Sequence, residues 1–152
     1  MRLATSRYAN HGVIRESGMT PVGITLGEPK FPLHYELAGN LRLLAPTRDS
    51  FGCEDFADRY LARLDAKGLE RIEGVLRRYV HGYRARPGGH GVVLLCFECV
   101  QAGEFCHRRL FADWWQAATG DEVHELLDRA PVPKRLARPT PTQLALFGGN
   151  AR

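Results

Sequence analysis

The sequence lacks the long apolar segments that would place it in or across a membrane. No apolar run in its 152 residues approaches the length of a membrane span. The opening stretch, MRLATSRYANHG, contains no apolar signal-peptide core. These absences predict a cytoplasmic protein with no membrane partner, and we expect its four cysteines to be reduced thiols rather than disulfides.

No internal repeat is present, and the composition is that of one globular domain. The chain is 44% hydrophobic and 25% charged, which is enough apolar material for a real core. Its net charge is +4. This mild excess suits a polyanionic partner such as DNA but does not require one.

Apolar strands and amphipathic helices alternate along the first 129 residues. We predict strands at RLATS near the start and at PVGITL (21–26), and a buried strand at GVVLLCF. Apolar residues recur at helical spacing in three segments, which predicts three helices. The first ends at Gly68, the second ends at the Pro-Gly-Gly at 87–89, and the third runs from CHRR to Gly120. EVHEL is a candidate last strand, whereas LAGNLRLLAP fits either a helix or a strand.

This alternation predicts a single three-layer α/β domain with a mostly parallel central sheet flanked by helices, covering residues 1–129. Residues 130–152 differ in composition. PVPKRLARPTPT has four prolines and no periodicity, which is typical of a stiff extended linker.

Reactive side chains are concentrated in LLCFECVQAGEFCHRRLF (94–111). Here the end of a predicted strand, LLCFE, is followed by a predicted helix start, CHRR. Ligands of open α/β sheets bind beyond the carboxyl ends of the strands. The segment therefore lies where such a domain most often places its chemistry.

A zinc site is one hypothesis for this segment, since Cys96 and Cys99 have C-x-x-C spacing and Cys106 and His107 could complete four ligands. Strand alternation puts Cys96 and Glu98 on one side and Cys99 on the other. Adjacent residues in a helix point about 100° apart, which would separate Cys106 from His107. The deaminase signature, H-x-E followed by P-C-x-x-C, is absent. We therefore expect no metal and no cofactor.

Two other hypotheses remain open for the same residues. Cys106 is either a nucleophile, activated by the helix start and its cationic neighbours, or a small apolar filler. Glu98 and His107 could act as general base and acid. Arg108 and Arg109 could hold a phosphate, although a structural Glu98–Arg108 ion pair is an equal alternative.

A second group of candidates follows the first predicted strand. Arg7, Tyr8 and Arg15, together with Asn10 and His11, offer ring stacking and phosphate contacts to nucleic acid. We expect them in a loop near the same crevice if the first strand is central. The alternative is a solvated connection with no binding role.

The L-L-C-x-E and C-H-R elements resemble the family catalogued as domain of unknown function 488. The resemblance covers roughly residues 1–127, more weakly upstream of these elements, and it implies an α/β fold without a settled reaction. The second strand departs from the family's acid-x-arginine pattern, having Ile24-Thr25-Leu26 there. The matching positions are Leu94, Leu95, Cys96 and Glu98, then Cys106, His107 and Arg108, and finally Val123 and Leu126.

The tail carries QLALF (143–147), which resembles the peptide by which bacterial DNA polymerases and repair proteins dock on the sliding clamp. Gln143 would enter a polar rim pocket, Leu146 and Phe147 would fill an apolar pocket, and Leu144 would support the turn. A short apolar peptide on a Pro-rich tether fits such docking. The alternative is a tail that packs on its own domain.

These patterns lead to a DNA-maintenance protein as the main functional hypothesis. It would be a hydrolase, acting by base excision or by phosphodiester hydrolysis, recruited to DNA by the sliding clamp. Its catalytic candidates are Glu98, Cys106 and His107. The alternatives are a non-enzymatic DNA- or clamp-associated adaptor, and a thiol-dependent or nucleotide-metabolising enzyme unrelated to DNA.

Overall fold

Five strands form one all-parallel sheet at the centre of the domain. The structure, a computed structural model, describes residues 1–82 and 91–128. The order of the strands across the sheet is β3-β2-β4-β1-β5. The strands are β1 (Arg2–Arg7), β2 (Thr20–Gly23), β3 (Gly39–Asn40), β4 (Gly91–Cys96) and β5 (His124–Glu125).

Helices cover both faces of the sheet and confirm the predicted three-layer α/β fold. The helices are α1 (His11–Ser17), α2 (Phe56–Lys67), α3 (Leu69–Gly82) and α4 (His107–Thr119), with short 3-10 turns at Arg42–Leu44, Arg48–Ser50 and Val100–Ala102. One face packs against α2, α3 and α4 through a large apolar core. The other face is covered by α1 and by the irregular segment 33–37.

Strand β4 is the centre of the core. All six of its residues are buried, because β1 and β2 flank its edges and apolar cores cover both of its faces. Val92 and Leu94 face the three long helices, whereas Val93 and Leu95 face α1. Burial of each such side chain stabilises the fold by about 1.5–3 kcal/mol, so the end of this strand is a firm support for a site.

The connections of the sheet change direction between β1 and β4. From β1 the chain crosses through α1 to β2, and from β4 it crosses through α4 to β5, on the opposite side. Neighbouring parallel strands whose crossovers diverge leave a crevice at their carboxyl ends. Cys96 ends β4 at this crevice, with Glu98 two residues beyond it.

Two local predictions are corrected. The expected loop after the first strand contains helix α1, which a single buried residue, Ile14, attaches to the sheet. The strand predicted at 21–26 ends at Gly23, because the amide of Thr25 donates to the Asn40 side chain instead of a neighbouring strand. The ambiguous segment LAGNLRLLAP contains β3 and a 3-10 turn.

The predicted Pro-rich tail lies outside the described residues. This applies to the clamp-docking candidates Gln143, Leu144, Leu146 and Phe147, which are all in that segment. No helix in the described ranges is long and apolar enough to cross a membrane.

A buried ion pair joins α4 to the edge strand β5. The Arg108 Nη2 donates to Glu125 Oε1 over 2.9 Å, and its Nε lies 3.2 Å from both carboxylate oxygens. The side chains are only 1% and 11% exposed. The Thr5 hydroxyl also donates to this carboxylate, from β1. The structure thereby corrects the expected Glu98–Arg108 pair, since the acid that Arg108 binds is Glu125.

Removing this carboxylate tests how far the domain depends on the pair. We expect Glu125→Ala to lower the free energy of unfolding by about 3–5 kcal/mol, because it leaves a buried guanidinium without its counter-charge. Glu73→Ala is the matched control, since Glu73 pairs with Arg77 on the exposed face of α3. It should cost about 0.5 kcal/mol. Urea unfolding curves compare the two, and equal losses would contradict the structural role of Glu125.

Candidate functional site

Four potential ligand side chains converge at the carboxyl end of β4. They are Cys96, Glu98, Cys106 and His107, and one donor atom of each lies within 4.8 Å of the others. Two thiols, one imidazole and one carboxylate form a donor set that could hold a divalent metal ion. The same groups could also carry out acid–base or thiol chemistry.

Strand geometry places Cys96 and Glu98 together. Residues two apart in an extended chain face the same side, and the Cys96 thiol donates to Glu98 Oε2 over 2.8 Å. The expectation that these two residues share a face is confirmed. Cys99 is buried outside this group, also as expected from strand alternation.

A closed loop returns the chain from β4 to α4. The backbone amide of Cys99 donates to the Glu104 carboxylate over 2.6 Å, and the amide of Glu104 donates back to the Cys99 carbonyl over 3.2 Å. Gly103 adopts the left-handed conformation there, with φ 79°, which favours glycine. This closure positions Cys106 beside the end of β4.

Cys106 and His107 lie side by side, so the expectation that helical geometry separates them is wrong. Cys106 is the residue before the helix, and its backbone is extended with φ −145° and ψ 135°. The rotation of about 100° between helical neighbours therefore does not apply to this pair. The Cys106 thiol donates to Glu98 Oε2 over 3.1 Å, and its sulfur lies 4.0 Å from His107 Nδ1.

The imidazole of His107 is held in one orientation. Its Nε2 lies 2.8 Å from the carbonyl oxygen of Ile24, just beyond β2. A carbonyl can only accept, so Nε2 carries a proton, and in the neutral imidazole Nδ1 then presents a lone pair. That lone pair faces the sulfurs of Cys96 at 3.7 Å and Cys106 at 4.0 Å. The ring of Tyr60 packs edge-on against the imidazole, at 5.4 Å between ring centres.

Negative charge is stabilised within this group. Interaction with the Cys96 side chain lowers the pKa of Cys106 to about 6 against the effect of burial, and the charge of Arg108 acts in the same direction. The shared hydrogen bond and burial raise the pKa of Cys96. Burial opposes ionisation of Glu98, but the hydrogen bonds from both thiols outweigh it and lower the pKa of the carboxyl.

A cavity of about 440 Å³ opens over the cluster. Glu98, Cys106 and His107 contribute to its lining. Phenylalanine rings form an opposite wall, with Phe51 55% and Phe105 62% exposed. Phe56 packs between them, edge-to-face with Phe105 at 5.6 Å and tilted against Phe51 at 6.0 Å. Such rings offer a stacking surface for a flat ligand.

The cavity lining includes no lysine or arginine among the residues that the structure describes. Arg108 is bound to Glu125, and Arg109 donates to the Thr5 hydroxyl and to the Val123 carbonyl. Both guanidinium groups therefore point to the β1–β5 edge. This placement differs from the predicted phosphate clamp. What Arg108 contributes to the cluster is its charge, which favours the Cys106 thiolate.

The candidates after the first strand are also placed differently. Tyr8 is fully buried, its hydroxyl is 2.9 Å from Thr25 Oγ1, and burial raises its pKa to about 12. Its ring is thus not available for stacking on a base. Arg7 donates to Asn10, and Arg15 is exposed on α1, which packs on the other face of the sheet.

Cys96, which the sequence offered as a zinc ligand and not as a catalytic residue, belongs to the cluster. Two further features of the site were missed in the sequence. The aromatic wall had a signal in phenylalanines within polar stretches, namely Phe51 in DSFGCED and Phe105 in AGEFCH. Glu125 had no local signal, since its partner Arg108 lies 17 residues away.

Comparisons with protein-family models, curated proteins and solved structures gave no match to this chain. The resemblance to the family of unknown function therefore remains a prediction. The function must be inferred from the geometry of the cluster and its cavity.

Titration of the thiols tests the electrostatics of the cluster. In reduced protein dialysed against a chelator, thiolate absorbance in the ultraviolet should show a step near pH 6, because Cys106 keeps its charge above that pH and loses it below. The step should be absent in Cys106→Ser and retained in Cys99→Ser. A wild-type protein without any thiolate below about pH 7.5 would contradict the arrangement of hydrogen bonds.

Proposed function

We propose that this protein is a DNA-maintenance hydrolase that acts on a nucleobase, with base excision as its reaction class. The observation that carries the proposal is the carboxylate of Glu98 in a cavity walled by exposed aromatic rings. Enzymes that act on bases receive them in such pockets, stacked between aromatic or apolar side chains. A flipped base is a ligand of this shape.

The lining of the cavity favours a base over a phosphate. Glu54 and Glu98 are both in the described lining, while the nearest predicted phosphate ligand, Arg108, is engaged by Glu125. A phosphate bound beside two carboxylates without a cation would be repelled. Of the two reactions considered from the sequence, base excision therefore has better support than phosphodiester hydrolysis.

Glu98 is the proposed general base. Burial opposes its ionisation, but hydrogen bonding from the Cys96 thiol helps to lower its pKa, so the carboxylate is ionised at neutral pH and can take a proton from water. The hydroxyl so formed would attack the sugar carbon that carries the base, and the bond to the base would break. The proton held by Glu98 would end on the released base, which balances the reaction.

The proposed partners are DNA and the bacterial sliding clamp. The net charge of +4 is favourable for a polyanion. The QLALF peptide at 143–147 would tether the domain to the clamp and raise its local concentration on DNA. The same partners would fit a non-enzymatic adaptor, and the next experiment separates the two.

A panel of damaged and modified DNA oligonucleotides tests the reaction. We expect the wild type to release a base from at least one substrate, and Glu98→Gln to be slower by about 10²–10⁴-fold because it removes the general base. Glu73→Gln is the matched control, since this carboxylate pairs with Arg77 on α3 and is not among the residues that line the cavity. It should retain activity within about threefold.

If Glu98→Gln acts as fast as the wild type, the assigned role of Glu98 is wrong. If the wild type releases no base from any substrate but binds DNA, the adaptor function replaces the enzymatic one.

Clamp recruitment is tested separately with the full chain and purified sliding clamp. Phe147→Ala and Gln143→Ala should each weaken binding, and the loss for Phe147 should be about 2 kcal/mol or roughly 30-fold, as for a buried aromatic anchor. Thr140→Ala, in the linker before the peptide, is the control. Surface plasmon resonance measures the affinities, and equal binding of all variants would remove the clamp from the proposal.

A further inference from the structure

The donor atoms of the cluster are spaced like the ligands of one metal ion. In a tetrahedral zinc site, bonds of about 2.3 Å to sulfur and about 2.0–2.1 Å to nitrogen put a sulfur and a nitrogen ligand about 3.6 Å apart. The sulfurs of Cys96 and Cys106 lie 3.7 and 4.0 Å from His107 Nδ1. Only small side-chain shifts would bring all three onto one ion.

We propose that Cys96, Cys106 and His107 bind a zinc ion whose fourth coordination position is open to the cavity. Three protein ligands with an open position are the arrangement of catalytic zinc sites, and two cysteines with one histidine form a known ligand set. Soft thiolate and imidazole donors favour zinc over magnesium or calcium, which prefer oxygen ligands.

The environment of His107 is independent support for a ligand at this point. The side chain is 4% exposed, and its Nε2–H is bound to the Ile24 carbonyl, as the outer nitrogen of a zinc-bound histidine typically is. Within residues 1–82 and 91–128, its Nδ1 has only the two long sulfur contacts. A buried ring nitrogen that faces two sulfurs without a short hydrogen bond is well placed to bind a metal ion.

Glu98 fits the role of a base beside the ion rather than a ligand. Its Oε2 is 2.8 and 3.1 Å from the two sulfurs, which are hydrogen-bond distances and shorter than the separation of about 3.5 Å expected for oxygen and sulfur on one zinc. Zinc would take the place of the thiol protons that Glu98 accepts in the metal-free cluster. The freed oxygen would then face a water in the open position, which it could deprotonate for the attack on the sugar carbon that carries the base.

Charge balance is favourable for this exchange. One divalent ion offsets the charges of two thiolates, so the metal-bound group carries no net charge from these three components. Zinc binding therefore leaves no uncompensated thiolate charge in the core.

Measuring the metal content of the purified protein tests the zinc site without any substrate. The result therefore does not depend on whether base excision is the reaction. Protein purified under reducing conditions and supplied with zinc alone should retain about one zinc per chain after gel filtration, measured by mass spectrometry of the metal. Cys96→Ser and Cys106→Ser should retain at most a tenth of this. Cys99→Ser, another buried cysteine outside the cluster, should retain all of it.

Cobalt substitution in the wild type covers the case in which the cysteine variants fail to fold. The Co²⁺ protein should show tetrahedral absorption bands and thiolate-to-cobalt charge transfer of the intensity expected for two thiolates. Glu98→Gln should keep both the metal and these bands, and loss of the metal in this variant would overturn the open fourth position. A reduced wild type that takes up neither zinc nor cobalt, or binds cobalt without thiolate bands, would overturn the zinc site itself.

Discussion

The site depends on one hydrogen bond, from His107 Nε2 to the carbonyl of Ile24. Ile24 lies just beyond β2, but its amide still donates to Leu95 of β4 over 3.0 Å, so the carbonyl is held by the centre of the sheet. The bond therefore ties the first residue of α4 to two strands. It also decides which imidazole nitrogen is free, and that nitrogen faces the thiols of Cys96 and Cys106.

Near this hydrogen bond, the negative charge of Glu98 and the positive charge of Arg108 lie on two different sides of α4. The carboxylate of Glu98 accepts both thiol hydrogen bonds on the cavity side, whereas Arg108 is paired with Glu125 at the edge of the sheet. The cavity is thus left with aromatic rings and an ionised carboxylate, which suits an uncharged flat ligand. Buried polar groups have few alternative partners, so this arrangement specifies one geometry for the cluster.

Long periodic segments were predictable, whereas features set by distant contacts were not. Helices α2, α3 and α4 and strand β4 follow from apolar spacing, but α1 is short and buries only Ile14. The sequence alone identified Glu98, Cys106 and His107 as candidate site residues from their reactive side chains. Their convergence was not, because it depends on the extended backbone of Cys106 and on Ile24, 83 residues from His107. Local patterns also could not show that Glu125 would bind Arg108.

The tautomer of His107 is the most direct test of this account. Long-range proton–nitrogen correlation spectra of ¹⁵N-histidine-labelled protein, reduced and free of metal, report which ring nitrogen carries the proton. The account predicts a proton on Nε2 of His107, with the Nδ1 resonance shifting when zinc is added. A ring protonated at Nδ1 alone would mean that Nε2 does not donate to the Ile24 carbonyl and that this bond does not orient the ring toward the thiols.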